Sequence, residues 1–244
     1  MKTPKLKERK FKEPKFSIIV PHYDGVISDE KFLEGMRSIL QSTYKNFEVL
    51  VYHDGPTSRP IPKSFKSEYD QHNIDYKIKE TKTRYNDWGH TLRDLGIREA
   101  KGDYIVHFNP DNLLFPDALY GLAYALFLAR EVDMHDACNE TQGVSDVYDN
   151  CYEVIVAPIL MEGVLRSAAG SLARTRNPQH KTLLDGFPVR LHNIDCMQVV
   201  ASKKAWLSIG GWYNKDETSD GVLAEQLYSK YKCIFSQNII GVHR

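Results

Sequence analysis

Three short stretches of this sequence gather residues able to hold a cation, accept a proton or grip a polar ligand. The first is Asn109-Pro110-Asp111-Asn112, directly after the apolar run 103–108 (DYIVHF). A hard divalent cation that keeps several waters and bridges diphosphate oxygens needs only one or two protein carboxylates, and Asp111 suits that role. An Asx turn closing the strand would use the same residues. The second pairs Tyr23-Asp24, after 16–21 (FSIIVP), with His53-Asp54-Gly55-Pro56, after 47–52 (FEVLVY). The third is 216–221 (DETSDG), where carboxylates stand just before a helical pattern, a place the helix dipole favours by ~0.3–1 kcal/mol.

The elements that must position these residues follow from hydrophobic period. Runs 16–21 and 47–52 are short, apolar and β-branched, as buried parallel strands are. Between them Phe32, Leu33, Met36, Ile39 and Leu40 recur at helical spacing, which predicts a helix over 29–41. The result is a βαβ unit. Strand 76–79, helix 86–100, strand 103–108 and an apolar helix over 116–130 extend it. Polar residues 131–150 read as a loop, 152–158 as a strand, and 161–190 as a long irregular segment of the kind that serves function. Then come 197–201 as a strand, a Gly-Gly turn between Trp206 and Trp212, a helix over 219–231 and a last strand ending at His243. The fold class is therefore α/β, a Rossmann-like, mostly parallel central sheet flanked by helices. In such sheets ligands bind beyond the carboxyl ends of the strands, so Tyr23, Asp24, His53 and Asp54 share one rim.

Composition narrows the field. A chain of 244 residues suits one large domain without disulfide staples. Lys plus Arg equal Asp plus Glu at 32 each, which removes the global field of a dedicated nucleic-acid binder. The four cysteines form no C-x-x-C pair. No apolar run of ~20 residues and no signal-peptide core are present, and the expected location is cytoplasmic. Residues 1–15, rich in Lys, Glu and Pro, read as a flexible basic arm with a possible peripheral contact to an anionic membrane.

Several motifs, in order, resemble the inverting family-2 glycosyltransferases with the GT-A fold: 16–24 (FSIIVPHYD), 51–55 (VYHDG), 82–85 (KTRY), 102–112 (GDYIVHFNPDN) and 210–213 (GGWY). The likeness runs from about Phe16 to His243 and is densest over 16–117. It implies one GT-A domain over 16–244, with a nucleotide-binding half at 16–117 and an acceptor-binding half at 118–244. It further implies a metal-dependent enzyme that moves one sugar from a nucleoside-diphosphate sugar, by default a UDP-sugar, to a hydroxyl of a glycan or glycoconjugate.

Residue by residue, the resemblance assigns Asp54 to the donor base, Pro21 and Tyr23 to the loop around it, and Arg84 to the nucleotide. Asp111 matches the metal-binding carboxylate for Mn2+ or Mg2+; Asn109 and Pro110 stand where many members carry another acid. His243 is the candidate for the second metal ligand, since neutral imidazole is acceptable to manganese. Asp220, opening a helix, matches the general base, with Glu217 in reserve. His192 and Asp195 are candidates for acceptor or sugar contacts. The Gln-x-x-Arg-Trp element of polymerising members is absent, which favours single-sugar transfer. The alternatives are a sugar-phosphate nucleotidyltransferase, against which the lack of a Gly-rich loop after the first strand counts, and an inactive nucleotide-sugar binding module.

Overall fold

The computed structural model describes residues 12–139, 152–166, 172–175 and 177–244. In chain order its elements are β1 (Phe16–His22), α1 (Asp29–Leu40), β2 (Phe47–His53), α2 (Lys63–Gln71), β3 (Asp75–Glu80), α3 (His90–Glu99), β4 (Tyr104–His107), β5 (Leu113–Leu114) and α4 (Ala118–Asn139). Then follow β6 (Val154–Val156), β7 (Ile159–Glu162), β8 (Val164–Arg166), β9 (Leu172–Arg174), β10 (Lys181–Leu184), β11 (Val199–Ser202), α5 (Lys203–Ser208), α6 (Ser219–Lys230), β12 (Cys233–Phe235) and β13 (Gly241–His243).

Seven strands form the main sheet in the order β12-β6-β11-β4-β1-β2-β3. Strands β1 to β4 pair in parallel, as do β12 and β6, while β11 runs antiparallel to both neighbours. Every residue of β1 and of β2 is buried, because apolar residues cover both faces of the centre of the sheet. At its edge, β3 (DYKIKE) alternates exposed and half-buried positions, and charged side chains blunt the open edge. This is the α/β architecture expected, a mostly parallel central sheet flanked by helices.

Helix α1 starts where Ser28 accepts a hydrogen bond from the Lys31 amide, with Asp29 and Glu30 in the first turn. It buries Phe32, Met36 and Ile39. Gly35 lets it press on the loop after β4: a Cβ there would lie 2.0 Å from the Pro110 carbonyl oxygen. That close approach seats the Asp111 loop.

Several elements differ from the sequence expectation. Helix α3 begins at His90 rather than 86, because Asn86, Trp88 and Gly89 take positive φ and make a loop. Helix α4 continues to Asn139, through the start of the expected loop 131–150, whose residues 140–150 lie outside the described ones. The segment 161–190 holds paired strands: β10 with β7, and β8 with β9. β7 also pairs with β13 in a four-stranded sheet, β10-β7-β13-β5, a partnership between distant parts of the chain that short exposed runs do not announce. Of the expected arm, residues 1–11 lie outside the described ones; near its end, the Tyr44 hydroxyl donates to the Pro14 carbonyl and the Lys15 amide to Asp103. Among the described residues no helix is long and apolar enough to cross a membrane.

Candidate active site

The loops after β1, β2, β3 and β4 surround a cavity of about 550 Å3 at the carboxyl ends of these parallel strands. Pro21, Tyr23, Asp54, Arg84 and Asp111 all line it. The five residues that the sequence assigns to the nucleotide therefore converge, although up to 90 positions separate them. The Arg84 guanidinium carbon sits 3.7 Å from the Tyr23 ring centroid, a cation–π contact that makes one platform of the two side chains. Asp54 is buried, and its carboxylate accepts the backbone amides of Tyr85 (2.8 Å) and Asn86 (2.9 Å). It thus folds the 84–88 loop as well as facing the cavity. Its oxygens keep lone pairs for a further donor. Trp88, 65% exposed and at positive φ, adds an aromatic face.

Behind this cavity a second latch holds the rim. Asp24 accepts hydrogen bonds from the Ser58 amide and hydroxyl (both 2.8 Å) and the Arg59 amide (3.0 Å). Burial pushes the Asp24 carboxyl up, but these hydrogen bonds outweigh it and hold the group at about 2. His53 Nε2 lies 3.3 Å from the same carboxylate. Asp24 and His53 therefore act in the loop scaffold.

A second cavity, of about 350 Å3, has Leu184, Leu191 and Ile194 in its wall and Asp195, Glu217 and Asp220 on its polar side. Asp220 stands in the first turn of α6 and is half-buried, whereas Glu217 is exposed. Burial, then the neighbouring Asp195 charge, push the Asp220 carboxyl up to about 6. The helix end is anchored: the Trp212 indole donates to Ser219 Oγ (3.1 Å), which also meets His90 Nε2 (3.1 Å) at the start of α3.

The strand pair β5–β13 sets the end of the chain beside the loop that holds Asp111. Val242 faces Leu113 and Gly241 faces Leu114 in this antiparallel pair, so His243 and Arg244 flank Asn112 and Asp111. The Arg244 amide donates to Asn112 Oδ1 (3.2 Å), and its Nε donates to the Asp111 carbonyl (2.6 Å). His243 Nδ1 lies 3.2 Å from Asp195 Oδ2, a close contact without the alignment of a hydrogen bond. Asp195 also caps the turn Cys196–Gln198, accepting the Met197 amide (2.8 Å). Among the described residues no group of three or more His, Cys, Asp or Glu converges as a metal cage. The two metal candidates of the sequence lie on neighbouring strands, Asp111 just before β5 and His243 at the end of β13, with Asp195 against one imidazole nitrogen; a carboxylate and an imidazole are donor types that a divalent cation keeping several waters can use.

With this geometry in place, residues 17–136 match the sequence profile of glycosyl transferase family 2. Those residues, just under half of the chain, form a glycosyl transferase family 2 region. An uncharacterized glycosyltransferase of Rickettsia bellii is 31% identical over 108 residues, 44% of this chain and 14% of the relative. Another, of Haemophilus influenzae, is 31% identical over 107 residues, 43% of this chain and 40% of the relative. The chain thus spans less than half the length of these curated relatives. Among solved structures, S. aureus TarS 1-349 in complex with UDP-GlcNAc superposes with a TM-score of 0.62 at 14% identity, covering 94% of this chain and 58% of that one. A mannosyltransferase from Pyrobaculum calidifontis in complex with GDP-Man and Mn2+ gives 0.56 at 14% identity, over 95% and 57%. At such identities the likeness speaks for the fold, and the fold is that of the family's GT-A members.

Three site residues escaped the sequence reading. Arg93 is buried on α3, where it shares a face with Ile97, a position the helical period does indicate. Its Nη2 donates to Asn109 Oδ1 at 2.6 Å. His90 reaches Ser219, and Arg244 reaches Asp111, through contacts of long sequence separation that no local pattern encodes. His192 lines the second cavity at φ 63°, and the 191–192 loop is fastened to α6 by the Leu191 amide donating to Glu225 (2.6 Å).

Proposed function

We propose that the protein transfers one sugar, with inversion, from a nucleoside-diphosphate sugar to a hydroxyl of a glycan or glycoconjugate acceptor, with Mn2+ or Mg2+ at Asp111 and His243. The observation that carries this reading is the placement of Pro21, Tyr23, Asp54, Arg84 and Asp111 around one cavity, with Asp220 in a second cavity that Asp195, the neighbour of His243, also lines. In this reading Tyr23 and Arg84 flank the base and Asp54 accepts from it; a UDP-sugar is the default donor. The acceptor lies along the wall of Leu184, Leu191 and Ile194, its hydroxyl towards Asp220.

Asp220 takes the hydroxyl proton while that oxygen attacks the anomeric carbon from the face opposite the diphosphate. The bond from carbon to the diphosphate oxygen breaks, and the electron pair leaves on the nucleoside diphosphate. A carboxyl poised at about 6 is ionised at neutral pH yet basic enough to share a proton, the compromise general base catalysis requires. When bound, the cation supplies charge compensation for the leaving diphosphate. Asp195 stands against Nδ1 of the His243 ring, which would leave Nε2 for coordination.

A screen of nucleotide sugars for release of nucleoside diphosphate, with manganese, magnesium or chelator, tests the proposal. The expected result is metal-stimulated release from one donor class and an anomerically inverted product by NMR. Formation of a nucleotide sugar from a sugar phosphate and a nucleoside triphosphate would replace this reading with nucleotidyl transfer. Binding without turnover for any donor and acceptor would replace it with a binding module.

A further inference from the structure

Trp88 stands at φ 55°, in the left-handed region that a bulky side chain rarely enters, and the residue is 65% exposed. The other two tryptophans, Trp206 and Trp212, are each 1% exposed. The backbone on both sides is braced to keep Trp88 there. The Asn86 amide, of a residue itself at φ 54°, donates to Asp54 Oδ2 (2.9 Å), and Arg93 Nη1 donates to the Trp88 carbonyl (3.1 Å). Gly89 follows at φ 79°, so close to β1 that a Cβ on it would lie 2.6 Å from the Pro21 Cβ.

A strained backbone persists only where its surroundings over-determine it, and such strain gathers at ligand sites. A ring left in solvent adds little to the core, so the fold itself gains little from holding this one out. The ring lines the cavity of about 550 Å3 together with Asp111. It also lies 6.1 Å from the His90 ring, whose Nε2 meets Ser219 Oγ (3.1 Å), the residue before Asp220. Arg93, which holds the Trp88 carbonyl, acts with its charge on the Asp220 carboxyl as well. Trp88 thus stands on the side of the cavity that faces the start of α6. A sugar passed from a diphosphate at Asp111 to a hydroxyl at Asp220 has to cross that side.

We propose that Trp88 is the platform of the transferred sugar, its indole face packed against the C–H face of the sugar ring, and so the residue that separates a nucleotide sugar from the bare nucleotide. The inference rests on reading this cavity as the donor site and adds which side chain recognises the sugar. A sugar ring carries hydroxyls around its rim and C–H groups on its faces, and an indole offers a flat apolar surface with one N–H donor to match. The other aromatic platform of the cavity is already committed: Tyr23 packs on Arg84, 3.7 Å from ring centroid to guanidinium carbon, beside Asp54 at the base end. The left-handed backbone at position 88 fixes the ring over the cavity before any sugar arrives, so little ordering is left for binding to supply.

The test is acrylamide quenching of tryptophan fluorescence beside calorimetry, on the full chain with manganese. The probes are matched: UDP with UDP-glucose and UDP-GlcNAc, GDP with GDP-mannose, dTDP with dTDP-glucose. Trp88 is the one accessible tryptophan, so the quenching reports on it and should vanish in Trp88→Phe. In wild type one nucleotide sugar should shield Trp88 beyond what its own nucleoside diphosphate does. Trp88→Gly serves as the deletion, since glycine suits the positive φ. It should bind the nucleoside diphosphate as wild type does, while its affinity for the nucleotide sugar falls ~10-fold. Trp88→Phe should keep most of that affinity. Nucleotide-sugar affinity in Trp88→Gly equal to wild type would overturn the proposal. So would an equal loss for nucleotide and nucleotide sugar, which marks a ring that serves the base or the loop. Shielding by no nucleotide sugar beyond that of its nucleotide would overturn it too. In each of these cases, a wild type that still binds a nucleoside diphosphate leaves the donor reading standing. Wild type binding none of the probes would sink both.

Discussion

The cavity proposed for the donor and the cavity around Asp220 are built by different means. The first is made from loops that each follow a parallel strand within a few residues: Tyr23 after β1, Asp54 after β2, Arg84 after β3, Asp111 after β4. Parallel strands side by side bring those loops together by construction, so a residue's place in the chain already states its place in space. The second draws Met161 from β7, Leu172 from β9, Leu184 from β10, the stretch 191–195 from a loop, and Asp220 from α6. Nothing periodic links these segments. They meet because β7 pairs with β10 and β13, and because the 191–192 loop is fastened to α6 through Glu225. A regular sheet thus builds the cavity proposed for the nucleotide, and irregular structure the one proposed for the acceptor.

The sharpest way to break this division of labour is at Asp220. Asp220→Asn keeps the hydrogen bond accepted from the Gly221 amide but cannot take up a proton. Turnover should fall ~10²–10⁴-fold with donor affinity unchanged. Steady-state kinetics beside calorimetry with the nucleoside diphosphate checks this, and Glu217→Gln is the control; transfer abolished in Glu217→Gln with Asp220→Asn near wild type would move the base three residues earlier. In the wild type kcat/KM should fall as pH drops below about 6, as the base becomes protonated.

Next in size is Asp111→Ala, which removes the proposed metal carboxylate on the donor side. Metal-dependent affinity for the nucleoside diphosphate should drop more than the ~10–100-fold typical of outer-shell partners. Equal affinity with and without chelator in the wild type would remove the metal from the reading.

Asp195→Asn probes the seam between the two cavities through His243. It should weaken metal affinity ~10–100-fold and leave metal-free nucleotide binding intact. A change in both would show that the seam is only structural.

Asp54→Ala should weaken nucleotide binding by ~1–3 kcal/mol, measured as a dissociation constant. Because its carboxylate also gathers the Tyr85 and Asn86 amides, the variant should lose Trp88 ordering as well, visible as a change in Trp fluorescence. An unchanged dissociation constant would confine Asp54 to the loop.

The smallest effect concerns stability. Asp220 loses its proton at about 6 in the folded protein, against an ordinary value of 3.8. Between those values the folded state binds more protons than the unfolded one, so stability declines as pH rises through the window and stays lower above it. Asp220→Asn should therefore raise stability at pH 7 by about 1–2 kcal/mol and flatten that decline, as chemical denaturation at several pH values would reveal. A base that costs stability and a donor loop that does not would be a further difference between the two cavities.

Much of the donor side was legible in the chain. The runs at 16–21 and 47–52 are too apolar to be anything but buried strands, and their polar ends have only one rim to occupy. Hydrophobic period, turn chemistry and motif order are local properties, so they pointed to the α/β class, to the family likeness and to five residues that line one cavity. The position of Asp220 at the start of a helix was legible for the same reason. Tertiary structure alone decided the rest. Arg93 meets Asn109, 16 residues along the chain, only across the fold. Likewise, Asp195 meets His243, and Arg244 meets Asp111, through the pairing of β13 with β5 and β7. Such contacts depend on which distant segments bury each other, a property of the packed whole that no window of sequence contains.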